Sequence, residues 1–372
     1  MGQSHQDTNA VLSVRTLNRT LLARQCLLER SEMPVMDAVE HLVGLQSQMP
    51  TSPYYGLWTR LKGFRNEDLS MLIQNRQIVR LAMMRSTLHL VTAKDSLALR
   101  PVLQSMMDRE LKGTFSKRLE GIDLEELSAI GRQYVEVEPR TLNDVGLFLS
   151  EKWTDRDPKA LASVIRNKVP LVQVPPRGLW GSSGQAMHTS AELWLGDDLA
   201  RQDDSKEMIL RYLRAFGPAT VADIQAWSGL NKLRDVVKEL KPQLRMFFDE
   251  QGRELWDVQD APIMDSDLPA PLRFIGDFDN ILLSYVDRSR IIADAYKPIV
   301  FTKNGIVRPT VLLDGFVKGV WNIEREKDSA KLVIEPFEPF SKEDQELLTQ
   351  EGLQLLQFAA EEAQTFDVQF VD

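Results

Sequence analysis

A single cysteine, Cys26, excludes an intramolecular disulfide and any cysteine-rich zinc or iron–sulfur centre. Histidine is almost as scarce: His5, His41, His89 and His188 are scattered with no partner at ligand spacing, so no metal site is expected. No run approaches the roughly 18–20 apolar residues of a membrane span. The opening MGQSHQDTNAV lacks the basic-then-apolar layout of a secretory leader. No glycine-rich phosphate loop follows a strand, and no G-x-S-x-G occurs. These absences argue against a nucleophilic or metal enzyme and lead to the expectation of a cofactor-free, cytoplasmic protein. Cys26 itself, in LLARQCLLER, lies among leucines on a helix and reads as core.

What is present is ordinary globular chain, 43% hydrophobic and 27% charged. The net charge of −9 argues against nucleic acid until its distribution is examined. Residues 1–100 hold 12 Lys and Arg against 8 Asp and Glu, whereas residues 301–372 hold 7 against 14. Within the first segment Arg76, Arg80, Arg85, Lys94 and Arg100 face one acid, Asp95. A ligand meets the local field rather than the total, so such a face can bind phosphates; ordinary scatter of surface charge accounts for it equally well.

The chain repeats a helix, helix, hairpin unit. In the clearest copy, KEMILRYLRAF has helical spacing, Thr220 and Asp223 make a capping box, Gly229 marks a turn, and NKLRDVVKEL precedes the strands LRMFF and ELWDV. That order is a winged helix-turn-helix. A looser copy opens with a capping box at Thr141 and Asp144 and ends in LVQV and a strand near Met187–Ser190, flanking the tip PPRGLWGSSG. The N-terminal region supplies a third. There VMDAVEHLVGLQSQ reads as helix, Ser52–Pro53 restarts a helix to Leu61, and IVRLAMM and STLHLV read as paired strands. From about 270, NILLSYVD, IVFT, IVRPTVLL, GFVKGVW and KLVIEPF read as strands, with Asn304–Gly305 and Asp314–Gly315 as tight turns. Ser341 caps a last helix with Asp344 in the box position. The expectation is an α+β chain of tandem winged-helix units followed by a C-terminal antiparallel β-barrel. Its segments are 1–94, 95–200 with a helical insert, 201–262 and 263–372.

One stretch carries candidate chemistry. HLVGLQSQMP places Gln46 and Gln48 at the close of an apolar helix, beside Tyr54, Tyr55, Trp58 and Phe64. Residues i and i+2 of a helix point roughly 200° apart, so the amides converge only where the helix unwinds, and Met49–Pro50 favours unwinding there. An amide does not titrate near neutrality, but it can orient a water or bind a base edge. Two amides suit a reaction whose leaving group is already activated; capping and solvent exposure are the plain alternative. The aromatics recur at helical spacing and read mostly as core.

The blocks LLARQCLLER, AVEHLVGLQSQMPTSPYYGLWTRL, VRLAMMRSTLHLVTAKD, VPPRGLWG and FDNILLSYVDRSRII closely resemble the AlkZ-like family of bacterial DNA glycosylases, in order, from about 15 to 360. The resemblance implies tandem winged helices, a C-terminal β-barrel, and removal of N-alkylated purines or unhooking of interstrand crosslinks. The family's catalytic motif, Gln-aliphatic-Gln, falls on Gln46–Ser47–Gln48, with Ser47 departing from the aliphatic middle. Gln48 places the chain with the AlkZ branch rather than the sister branch that has Asp there. No lysine matches a catalytic position, so no Schiff-base lyase step is expected.

Other blocks supply DNA-binding candidates. Arg85 and His89 alternate along an expected wing strand and could meet phosphates, His89 being equally a satisfied core residue. Arg177 and Trp180 fall at a wing tip, where arginine tracks a groove and tryptophan stacks or wedges, or where Trp180 simply packs. Arg288 and Arg290 share one side of an extended segment and are expected to contact the DNA backbone, the alternatives being plain surface charge and pairing of one of them with Asp287. The expected partner is double-stranded DNA carrying alkylated purines, met by a monomer without a cofactor, at the nucleoid of a bacterial cytoplasm. The alternative classes are a non-catalytic winged-helix regulator and an interaction module built on the acidic C-terminal half.

Overall fold

The computed structural model describes residues 10–200 and 205–371, so His5 and most of the opening segment lie outside the described residues. The chain is α+β, and three sheets organise it. The first has strands Val11–Leu12, Leu244–Asp249 and Glu254–Val258. The second has six strands in the order Leu45–Gln46, Leu88–Thr92, Ile78–Ala82, Leu171–Gln173, Met187–Ser190 and Arg140–Thr141. The third has five, from Arg273–Ile275 through Thr310–Leu313, Phe316–Arg325 and Ser329–Pro336 to Thr365–Phe370.

The six-stranded sheet joins two hairpins that read as separate in the sequence. Arg80 pairs with Gln173 and Leu81 with Val172, all antiparallel, so the N-terminal hairpin and the Leu171–Ser190 ribbon are continuous. Local chemistry explains the helices that feed them. Thr141 Oγ1 accepts from the Asp144 amide at 3.1 Å while Asp144 Oδ2 accepts from the Thr141 amide at 3.3 Å, starting Leu142–Ser150. The same box at Thr220 and Asp223 starts Val221–Ser228, and Gly229 at φ 80° ends it. Arg234–Leu240 and the Leu244–Asp249/Glu254–Val258 hairpin follow in the expected order.

Helix Val14–Arg24 is tied to distant segments. Arg24, in helix Val14–Arg24, reaches Asp257 through Nη1 at 2.7 Å and Nη2 at 2.9 Å, both side chains buried. Gly217 explains the close approach: a Cβ there would lie 2.7 Å from Asp257 Oδ1 and 3.0 Å from Arg24 Nη1. The largest apolar core accordingly draws on Leu21, Met107, Phe216, Tyr285 and Val320, residues from every segment of the chain.

Three expectations are corrected. Among the described residues the five-stranded sheet does not close into a barrel: Arg273–Ile275 and Thr365–Phe370 are its edges, and the latter pairs parallel with Ser329–Pro336. That final strand follows helix Lys342–Ala359, whose Leu348, Leu355 and Leu356 are buried with Leu332 and Ile334 of the sheet. NILLSYVD is not a strand but carries the short helix Asn280–Leu283, capped by Asp279; IVFT likewise overlaps helix Lys297–Val300. Finally, helix Val35–His41 stops well before Gln46. Val43 at φ 54° and Gly44 at φ 86° turn the chain out, and Leu45–Gln46 pairs with His89–Leu90.

Candidate active site

Extended backbone changes the relation between the two amides. Gln46 pairs across the sheet with His89, and the Ser47 N–H donates to the Leu88 carbonyl at 2.7 Å. The strand ends at Gln46 and the chain bends at Gln48, so the two amides stand on a strand end and a bend rather than on one helix. Asn280 clamps the strand's edge. Its Nδ2 donates to Gly44 O at 2.7 Å, and its Oδ1 accepts from Gln46 N at 3.2 Å.

The two side chains differ in setting. Gln48 is exposed and lines a cleft of about 590 Å³ with Leu88, Leu142, Gln173, Gln185 and His188. A second cleft, of about 610 Å³, lies by Thr220, Lys238 and Trp256 and shares none of these residues. Gln46 is 6% exposed, and its Oε1 accepts from Arg85 Nη2 at 2.6 Å. Its Nε2 makes no hydrogen bond to the described residues and is not among the buried unpaired atoms, so the amide nitrogen meets solvent.

Behind both amides stand arginines that lack a carboxylate partner among the described residues. Arg80, 3% exposed, donates to Ser47 O from Nη2 at 2.5 Å and to Gln48 O at 3.1 Å. It also bonds Gln173 Oε1, and Gln173 Nε2 donates to His188 Nε2 at 3.2 Å. Burial, then the nearby Arg177, pushes Arg80 down to about 10. Arg85 sits in the hairpin turn at φ 55°, with Nη1 on the Trp227 carbonyl; burial, then Arg288, pushes it down to about 10. His89 is fully buried, and burial, then Arg85, pushes it down to about 3, which keeps it neutral. Its Nδ1 donates to Thr87 O at 3.0 Å, leaving Nε2 a buried acceptor without a partner.

The remaining candidates fall in different places. Arg288 lies with its guanidinium 4.3 Å over the Phe301 ring, half-buried. Arg177, half-buried, donates to Gly184 O at 3.0 Å within its loop. Trp180 packs 5.0 Å from Tyr54 and 5.4 Å from Phe358, inside the aromatic cluster that also takes Tyr55, Trp58 and Phe64. Arg290 departs from its expected surface position. It is 6% exposed, donates to Pro218 O at 2.9 Å and lies 4.2 Å over Tyr285, so a duplex cannot reach it without unpacking the protein. Of the two readings of the charges in residues 76–100, a basic face is not formed: Arg80 and Arg100 point inward, and Lys94 pairs with Glu40 at 3.0 Å.

A sequence model for AlkZ-like DNA glycosylases matches residues 39–358, a span that includes both glutamines, Arg80, Arg85 and Asn280. The chain belongs to the AlkZ-like DNA glycosylase family. Members are hydrolases of N-glycosyl bonds, and this chain is one. A curated relative from Streptomyces sahachiroi, named an interstrand DNA cross-link repair glycosylase, is 24% identical over 352 residues, 85% of this chain and 88% of that protein. The solved Streptomyces sahachiroi DNA glycosylase AlkZ superposes with TM-score 0.79 at 19% identity, covering 97% of this chain and 100% of that one. That likeness shows the AlkZ-like fold. Among the described residues no group of His, Cys, Asp and Glu could hold a metal, and no helix is long and apolar enough to cross a membrane. Sequence reasoning missed Asn280 and the partnership of Arg85 with Gln46, because the residues joined lie 234 and 39 positions apart.

Proposed function

We propose that this AlkZ-like glycosylase is monofunctional and hydrolyses the N-glycosidic bond of N-alkylated purines, N7-alkylguanine foremost. Its helix–hairpin units would act as winged helices on double-stranded DNA, and its lesions would include the crosslinks named for the Streptomyces relative. One observation carries this reading: two carboxamides two residues apart in the chain, one exposed at a cleft and one held by Arg85, with arginines rather than carboxylates behind them.

Alkylation at N7 makes guanine cationic and weakens its bond to the sugar, so the base leaves without being protonated. The remaining work is to position a water against the sugar carbon and to present fixed dipoles to the charge that develops. Gln46 and Gln48 can do both while staying neutral. A neutral pair also avoids holding the cationic base as a tight ion pair. The cleft beside Gln48 has room for a substituent larger than methyl, which suits bulky adducts.

The test is release of free base from a duplex containing N7-methylguanine, beside an N7-linked crosslinked duplex. Gln46→Ala and Gln48→Ala should each lower the single-turnover rate roughly a hundredfold. Wild-type release by both variants, with both folded, would overturn the assignment.

A further inference from the structure

Resting on Gln46 as a catalytic amide, the geometry points to Arg85 as its positioning residue, and to Gln46 as a hydrogen-bond donor to the substrate.

A guanidinium has donors only, so the atom of Gln46 that meets Arg85 Nη2 at 2.6 Å has to be the carboxamide oxygen. This fixes which end of the amide faces outward. The NH2 group is presented, and the positive charge behind the oxygen polarises those N–H bonds. Gln46 therefore meets the substrate chiefly as a hydrogen-bond donor, its oxygen being turned toward Arg85. The freer acceptor is Gln48, whose exposed side chain has no such partner among the described residues.

Arg85 is itself over-determined. Its Nη1 bonds the Trp227 carbonyl, and its backbone sits at φ 55° in the turn. Gly229, the residue that ends the Trp227 helix, packs so tightly on it that a Cβ at Gly229 would lie 3.2 Å from both Arg85 N and Cα. Ser86, also at φ 55°, is gripped by Arg166, whose Nη1 reaches Ser86 Oγ at 2.9 Å and whose Nη2 reaches Ser86 O at 2.5 Å. The turn is thus pinned from two directions, and the pinning is transmitted to one rotamer of Gln46. With no carboxylate partner among the described residues, the side-chain group that Arg85 serves is the amide.

The experiment is a double-mutant cycle on the single-turnover rate of 7-methylguanine release, using Arg85→Met, Gln46→Ala and the pair, with Arg85→Lys and Gln46→Glu as further variants. Arg85→Met should lose roughly tenfold to a hundredfold in the wild-type background and almost nothing more in the Gln46→Ala background. Arg85→Lys, which keeps charge and a donor, should recover part of the loss. Gln46→Glu should be as slow as Gln46→Ala, since it places an acceptor where a donor is needed. Equal losses from Arg85→Met in both backgrounds would overturn the positioning role, and a Gln46→Glu enzyme at or above the wild-type rate would overturn the donor role. A Gln46→Ala enzyme as fast as wild type would instead sink the catalytic reading on which this rests.

Discussion

Arg60 and Asp279 meet as a two-pronged ion pair, Nη1 to Oδ2 and Nη2 to Oδ1, both at 2.8 Å, with side chains only 1% and 2% exposed. Asp279 Oδ1 also accepts from Ile281 N at 3.1 Å, capping the helix that begins with Asn280. Asn280 in turn holds Gly44 and Gln46. The ion pair therefore sets the position of the motif strand through one intermediate residue. Asp279→Ala should destabilise the protein by about 3–5 kcal/mol, because it leaves the Arg60 charge buried and unpaired. A shift in the urea midpoint measures it. A loss under about 1 kcal/mol would mean that the guanidinium finds water.

Arg288 and Arg290 should separate cleanly in their effects. Arg290→Ala removes a charged hydrogen bond and a ring contact from the interior, so it should cost about 1–3 kcal/mol of stability and leave the salt dependence of duplex binding unchanged. Arg288→Ala should leave stability nearly intact and reduce the salt slope by about one, as loss of one phosphate contact does. Binding isotherms at several salt concentrations, beside thermal melts, distinguish the two.

The boundary between what the sequence reveals and what it hides runs along contact distance. Capping boxes at Thr141 and Thr220 are legible because both partners lie three residues apart. The turn at Asp314–Gly315 is legible because positive φ, here 46° and 80°, has a residue signature. The end of helix Val35–His41 is not, since Val43 at φ 54° is a β-branched residue in a conformation that only its surroundings impose. The strand that follows has two residues, held by Leu90 and His89 more than forty positions away. Arginines mislead for the same reason. Arg80, Arg85 and Arg100 look like a surface field until their acceptors are known, and those are carbonyls and amides that composition cannot disclose. The glutamine pair was visible as a pattern, but its polarity was not.

Gly44 tests the turn that makes the motif strand possible. At φ 86°, an added Cβ would lie 2.5 Å from Val91 Cγ1 and 2.9 Å from Leu90 O. The latter is backbone of the partner strand and cannot swing aside. Gly44→Ala should therefore cost about 1–3 kcal/mol and displace Leu45–Gln46 from its pairing. Base release should fall with it, since Gln46 lies two residues on. A variant with normal stability and normal release would show that the turn tolerates a side chain.

The buried histidines give the protein a defined response to acid. His89 is held near 3 and His188 near 4, in each case mainly by burial, well below the ordinary histidine value of about 6.5. Between those values the unfolded chain binds a proton that the folded chain refuses. Stability thus rises with pH through this window and is lost as pH falls below about 6.5, by up to about 1.4 kcal/mol per pH unit for each histidine. Asp277, whose carboxyl is raised by burial, works in the opposite sense, and Asp287, held down to about 2, does not titrate between pH 7 and 5. Urea midpoints at pH 7 and pH 5 should therefore differ in the wild type, and His89→Leu should remove about half of the difference, whatever it does to stability at pH 7. A His89→Leu variant with the full wild-type pH difference would mean that the His89 ring takes up a proton when folded, and would contradict a neutral His89 beside the Arg85 guanidinium.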